Sequence, residues 1–253
     1  MVDLEKVAFN ANSSRQTLNS VEALEGWLAE SDALLIAFLL KVQESLGISG
    51  PMLEIGVHKG RFLGFLRGIS EERLVGVQLV DQQYAELFET ATLQNIESCI
   101  GRSHDISFIP SDSTKLVSSD LLNKAGGAMR LIHVDGGHDY HTALHDLRLV
   151  EPVLCEGGLL AVDDVFNRIV PGVAQASAEF FSSPTRLKPF AIGFNKVFAT
   201  TAQFAESYRK AAELYLDKYA PAAVRERSQN LSKRHADLGF WPAYCGSDVL
   251  IFT

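Results

Sequence analysis

Short apolar runs alternate with stretches of helical periodicity along most of the chain, and the alternation predicts its elements. Met52 to Val57 reads as a strand, Arg61 to Ile69 as a helix, Leu74 to Val80 as a strand, Tyr84 to Ile100 as a helix and Ile106 to Pro110 as a strand. A helix near Ser118 to Ala125, a strand Arg130 to Asp135, a helix Tyr140 to Val153 and a strand Gly158 to Val162 follow. Strands rich in branched residues that alternate with helical patterns imply βαβ units. The predicted fold is therefore α/β, a doubly wound, mostly parallel Rossmann-like sheet with helices on both faces.

The flanks are patterned differently. Residues 1–50 read as helical, with a candidate cap at Ser20, a second at Ser31 or Asp32 before the apolar run Ala33 to Leu40, and a stop at Gly47 and Gly50-Pro51. After Pro171 a helix over Val173 to Phe181 leads to two β-like runs, Phe190 to Phe194 and Val197 to Thr201, joined at Asn195 as an antiparallel edge hairpin. Ala202 to Tyr219 is an amphipathic helix whose Phe204, Tyr208, Ala211, Ala212 and Tyr215 make a packing face. Arg225 to His235 is charged, Gly239 to Tyr244 aromatic, and Val249 to Phe252 strand-like. The expected organisation is a helical segment 1–50, a core 51–201 and an extension 202–253.

Composition narrows the class. A chain of 253 residues with 47% hydrophobic and 21% charged residues matches one large globular α/β domain. A net charge of -8 argues against nucleic acid, which is held largely by clustered Lys and Arg. Cys99, Cys155 and Cys245 are too few and scattered for a disulfide framework or a zinc site, so a reducing cytoplasm is expected. No apolar run approaches the ~20 residues that span a bilayer, and a membrane partner is not expected. The helical N-terminus and long tail leave room for a homo-oligomer interface.

Chemistry concentrates at strand ends. Leu53-Glu54-Ile55-Gly56-Val57-His58-Lys59-Gly60 is a strand running into a glycine turn and a helix, and its spacing is GxxxG rather than the GxGxxG of dinucleotide folds. Leu131-Ile132-His133-Val134-Asp135-Gly136-Gly137-His138 and Leu159-Leu160-Ala161-Val162-Asp163-Asp164 are apolar strands ending in carboxylates. Ligands bind beyond the carboxyl ends of strands in open α/β sheets, and neighbouring strands lie about 4.8 Å apart. Asp135, Asp163 and Asp164 should therefore converge, and such acids repel by roughly 4 kcal/mol per pair at 4 Å and an effective dielectric near 20. A positive group among them is expected, and a hard divalent cation such as Mg²⁺ suits carboxylate oxygens. In the competing reading Asp163 or Asp164 caps the next segment while Asp135 pairs with a Lys or Arg.

The first of these motifs resembles that of the class I S-adenosylmethionine-dependent methyltransferases, E-x-G-x-x-x-G. The resemblance implies that Glu54, Gly56 and Gly60 surround the methionine part of S-adenosylmethionine. It also implies a ribose-binding acid after the second strand, where this chain has Val77-Gln78-Leu79-Val80-Asp81; Gln78 is the expected contact and Asp81 the alternative. Asp112 and Ser113, after the third strand, would lie near the adenine, although D-S-x-K is also ordinary turn chemistry. The later motifs resemble the Mg²⁺-dependent O-methyltransferases that act on sugars of natural products and, more distantly, catechol-type enzymes. That likeness implies Asp135, Asp163 and Asp164 as metal ligands, Asp135 bordering the cofactor as well, and His138 as the base that deprotonates a hydroxylated small-molecule acceptor.

Other features carry less. His133 reads as a core residue of its strand, and His141 and His145 as helix residues without the HExxH pattern of a zinc site. Phe180-Phe181, Phe240-Trp241 and Tyr244 suit either a substrate pocket or plain packing. Three functional readings follow: a metal-dependent O-methyltransferase, a metal-independent one with His138 as sole base, and a cofactor-binding scaffold without catalysis. A NAD-linked dehydrogenase is disfavoured by the missing GxGxxG.

Overall fold

The computed structural model describes residues 3–239 and 241–252; Phe240 lies outside the described residues. Two N-terminal helices, α1 (Ala11–Ser20) and α2 (Glu30–Ser45), precede the alternating core. The core runs β1 (Met52–Ile55), α3 (Arg61–Ile69), β2 (Leu74–Gln78), α4 (Ala85–Ile100), β3 (Ile106–Pro110), α5 (Ser118–Ala125), β4 (Met129–Val134), α6 (Tyr140–Val150), β5 (Leu154–Val162) and α7 (Pro171–Ser182). The chain continues with β6 (Leu187–Ile192), β7 (Val197–Thr201), α8 (Ala205–Lys218), α9 (Ala222–Leu238), the short ribbon β8 (Ala243–Tyr244) and β9 (Ser247–Asp248), and β10 (Leu250–Ile251). Strand order in the main sheet is β10-β6-β7-β5-β4-β1-β2-β3, with β7 antiparallel to both neighbours and every other pair parallel. The doubly wound α/β sheet with an antiparallel hairpin is as expected from the pattern.

Alternate strand residues feed two cores. Met52, Leu131, Leu159, Ala161 and Phe198 face α2, α3 and α8, whereas Leu53, Ile55, Ile132, Val134, Leu160 and Val162 face α5, α6 and α7. Burial on both faces explains why the central strands are continuous apolar runs. The chain reverses its winding between β1 and β4, and the crevice opens at their carboxyl ends.

Two expected caps are not caps. Ser20 is the last residue of α1, which is capped instead by the Asn10 side chain accepting from the Ser13 amide at 3.1 Å. Ser31 and Asp32 lie inside the first turn of α2, whose cap position is Ala29. Both are buried, because this turn packs against the sheet's edge hairpin rather than facing water. The charged segment around Arg225 to His235 is a helix, with Ser228 its only buried residue. No helix among the described residues is long and apolar enough to cross a membrane.

Candidate active site

Period two along the strands builds the floor of the crevice. Glu54 pairs in register with His133, His133 with Ala161, and Val162 with Val197, so Glu54, His133, Asp163 and Lys196 fall side by side on the α2-facing side. Each comes from a different adjacent strand or strand end, β1, β4, β5 and β7, and their formal charges alternate. His133 Nδ1 lies 3.3 Å from Glu54 Oε1 and its Nε2 3.5 Å from Asp163 Oδ2. Lys196 Nζ donates to the same Asp163 oxygen, and Asp32 of α2 closes the row beside Lys196. All five side chains are buried.

A row of buried charges holds only if each charge has a partner. Burial and the Lys196 ammonium disfavour a charged His133, but its donation to Asp163 and Glu54 and the field of Asp135 prevail, and its pKa is raised to about 9. Burial raises Glu54 to about 7 against the pull of His133. Asp32 is likewise raised by burial to about 6, with Lys196 opposing. Asp163 is also buried, yet His133 and Lys196 overcome that cost and hold its carboxyl well below the usual range. Among the three strand-end acids, Asp163 already has its positive partners.

Asp135 and Asp164 stand above this row. His138 Nε2 lies 3.3 Å from Asp164 Oδ2 and 3.7 Å from Asp135 Oδ1, and half of its side chain is exposed. The pairing with Asp135 is the leading influence on His138 and, with the charge of Asp164, holds its pKa above the ordinary 6.5 against partial burial. Asp164 is fixed in the left-handed region at φ 59, a conformation that costs energy for any residue with a Cβ. Its Oδ1 accepts from Asn167 Nδ2 at 3.0 Å and from Asn195 Nδ2, so Oδ2 alone turns to His138.

Possible ligand atoms of Asp135, His138 and Asp164 lie within 4.8 Å of one another, as do those of His133, Asp135 and Asp163. Asp135, Asp163 and Asp164 therefore adjoin, but they do not share one open set of oxygens. Both oxygens of Asp163 are taken, Oδ1 by the Asp164 amide at 2.8 Å and Oδ2 by Lys196 with His133. Asp135 and Asp164 keep an oxygen each toward the crevice.

The cofactor-side residues line up along the same edge. Gly56 adopts φ 93, and a Cβ there would meet the Asp135 carbonyl oxygen at 1.8 Å, so this glycine lets the β1 and β4 loops touch. Gly60 precedes α3 and packs against Thr92. One oxygen of Glu54, Oε2, is buried without a partner. Gln78, at the end of β2, accepts from the His58 amide of the glycine turn at 2.8 Å, while Asp81 stands exposed in the following loop. Asp112 accepts from the Thr114 amide at 3.0 Å and its hydroxyl at 2.7 Å, which keeps its pKa low and makes it a turn cap. Ser113 is buried against Asp146, and its carbonyl accepts from His145 at 3.0 Å.

The residues from Leu53 to Val165, which carry the turn, the Glu54, His133 and Asp163 members of the row and both acidic strand ends, match the family model described as "Methyltransferase domain", over 53–165. Residues 53–165 carry a methyltransferase domain. The fold of this methyltransferase is similar to that of cofactor-bound Rv0187 from MTB, at 18% identity over 79% of this chain and 93% of that chain, with a TM-score of 0.52. It is also similar to the MycE methyltransferase of the mycinamycin biosynthetic pathway in complex with Mg and SAH, at 13% identity over 75% of this chain and 54% of that one, with a TM-score of 0.51. No curated protein sequence matches the methyltransferase.

Lys196 was not singled out from the sequence, and Asp32 was expected only as a helix cap. The sequence shows Val197 starting the second strand of a hairpin; only the pairing of that strand with β5 sets the residue before it opposite Asp163. Reading strand parity alone would also have placed His133 beside Glu54. Among the aromatics, Phe180 and Phe181 are buried packing residues, Tyr244 lies 6.2 Å from Phe181, and Trp241 is exposed.

Proposed function

We propose that this methyltransferase acts on a hydroxyl group of a small molecule and that His138 is its general base. One observation carries the reading: an imidazole at the mouth of the crevice, half exposed, between two carboxylates at the ends of β4 and β5. Exposure lets an acceptor hydroxyl reach Nε2, and the carboxylates orient the ring and stabilise the proton it takes up. Water and simple alcohols release a proton only near pH ~15.7, so a positioned base matters more here than for an acidic acceptor.

S-adenosylmethionine supplies a methyl group made electrophilic by its sulfonium. Glu54, Gly56, Gly60, Gln78, Asp112, Ser113 and Asp135 are the residues proposed to hold it. The buried, unpartnered Glu54 Oε2 suits a hydrogen-bond donor at the end of β1. Gln78 would meet the ribose through its amide, an uncharged replacement for the usual acid, while it also fixes the turn at His58. Gln78→Ala is expected to weaken S-adenosylmethionine binding about tenfold by calorimetry, one charge-free hydrogen-bonding group being worth roughly 1–1.5 kcal/mol. Unchanged affinity would move the ribose contact to Asp81.

A divalent cation fits the donor set at Asp135 and Asp164, hard oxygens with one atom each still available, better than at Asp163, which Lys196 and His133 already satisfy. Bound there, Mg²⁺ would polarise the acceptor oxygen and hold it beside His138. The MycE complex contains Mg, SAH and mycinamycin VI, which favours the same assignment and a glycoside or other secondary metabolite as acceptor. Chelation with EDTA should then abolish transfer, Mg²⁺ should restore it, and Asp164→Asn should lose the restoration. Full activity in EDTA would leave His138 acting alone.

A further inference from the structure

The hairpin turn between β6 and β7 is fastened to the acids of the crevice at two consecutive residues. Asn195 donates to Asp164, and Lys196 donates to Asp163. The turn is closed by the Gly193 amide on the Lys196 carbonyl at 2.9 Å, and Gly193 leaves no room for a Cβ, which would meet Asp32 Oδ1 at 2.4 Å. It is also stitched to the loop after β5, since the Val165 amide donates to the Asn195 carbonyl at 3.0 Å. That loop is held by Asn167, which donates to Asp164 and accepts from the Ile169 amide at 3.0 Å.

These bonded loops carry apolar side chains that no described residue buries. Phe194 is 69% exposed on the turn, and Phe166 and Ile169 are 47% and 81% exposed on the loop after β5. Single exposed hydrophobic residues are ordinary. Three on two mutually bonded loops, flanking the acid that faces His138, form a surface placed for a ligand. Phe166 continues the surface to Tyr244, whose ring lies 6.1 Å away. The polar floor beside it is rich in carboxylates and the chain carries a net charge of -8, so Arg168, the exposed basic residue of the loop, stands in an acidic field that favours a neutral acceptor over a phosphorylated one.

We infer that Phe194, with Phe166 and Ile169, forms the wall on which the apolar body of a neutral acceptor packs while its hydroxyl meets His138. This deepens the proposed function and rests on it. Asp32, Asn195 and Lys196 act as positioning residues that set the height of Phe194 above the site. The acceptor class is a hydroxylated molecule with an apolar ring system next to the reacting group, such as an aryl glycoside, rather than a nucleotide sugar.

Calorimetry on the full chain with S-adenosylhomocysteine tests this, using 2-naphthol and 2-naphthyl β-D-glucoside as probes against methyl β-D-glucoside and UDP-glucose. At least one naphthyl probe should bind at least tenfold more tightly than both comparison compounds. Phe194→Ser and Phe166→Ser should each weaken it about tenfold, with the affinity for S-adenosylhomocysteine and the thermal midpoint unchanged. No preference for the naphthyl probes, or native affinity in Phe194→Ser, overturns the inference. Methyl-transfer assays with the same compounds separate the two claims. Naphthyl binding that depends on Phe194 without transfer to any hydroxyl refutes the proposed activity alone; transfer to methyl glucoside or UDP-glucose that Phe194→Ser leaves untouched refutes the wall alone.

Discussion

Replacing Lys196 with methionine is expected to destabilise the protein by about 3–5 kcal/mol, the usual cost of removing one partner from a buried ion pair. The substitution keeps the apolar stem and deletes only the ammonium, so the loss reports on charge rather than on packing. Asp163 would lose its direct partner and Asp32 its chief opposite charge, with both carboxyls still buried. Against a typical stability of roughly 5–15 kcal/mol this is a large fraction. Urea denaturation measures it. The double variant Lys196→Met with Asp163→Asn should recover part of the loss, because the orphaned charge goes with its partner. A loss below about 1 kcal/mol in the single variant would mean that water reaches Asp163 and that the row is not dry.

His138→Ala should lower kcat by about 10²- to 10⁴-fold, the range for removal of a positioned base. S-adenosylmethionine binding should remain near native, since His138 stands on the acceptor side. The pH profile gives a second readout. A base must be unprotonated, and without a bound cation Asp135 with Asp164 holds the His138 pKa above 6.5, which an NMR titration of the cation-free protein should show and Asp135→Asn, by removing the leading support, should lower. Mg²⁺ on those acids should bring the climb of rate with pH to lower pH. A rate within tenfold of native in His138→Ala, or a flat profile, would assign the proton to another group or to water.

Much of the fold was legible because the core strands are buried on both sides and read as apolar runs bounded by glycine or proline. Arg61–Ile69, Ile106–Pro110, Ser118–Ala125 and Val197–Thr201 have the bounds that the pattern predicts. The helix caps at Ser31 and Asp32 were misread because a polar residue ahead of an apolar run is the ordinary signature of a cap. Here the first turn of α2 is itself covered, and Asp32 serves a lysine from a distant hairpin. The crevice acids were legible as strand-end carboxylates. Which of them is spoken for was not, since that depends on β7 inserting antiparallel between β5 and β6. Sequence order hides such an insertion, and the positive charge sought among the acids turned out in part to be the protein's own.

The position of Asp32 also bears on where a working unit can be cut. The segment 53–165 holds every residue proposed to touch the reacting groups, but the partner of its fifth strand and the side chain that steadies Lys196 come from outside it on either side. A fragment trimmed to that length would keep α3 but bare the part of that side of its sheet now sheltered by the first two helices and α8. It would also take Lys196 from Asp163 and leave His133 as the one positive partner of that acid, so the catalytic apparatus and its scaffold cannot be inherited separately.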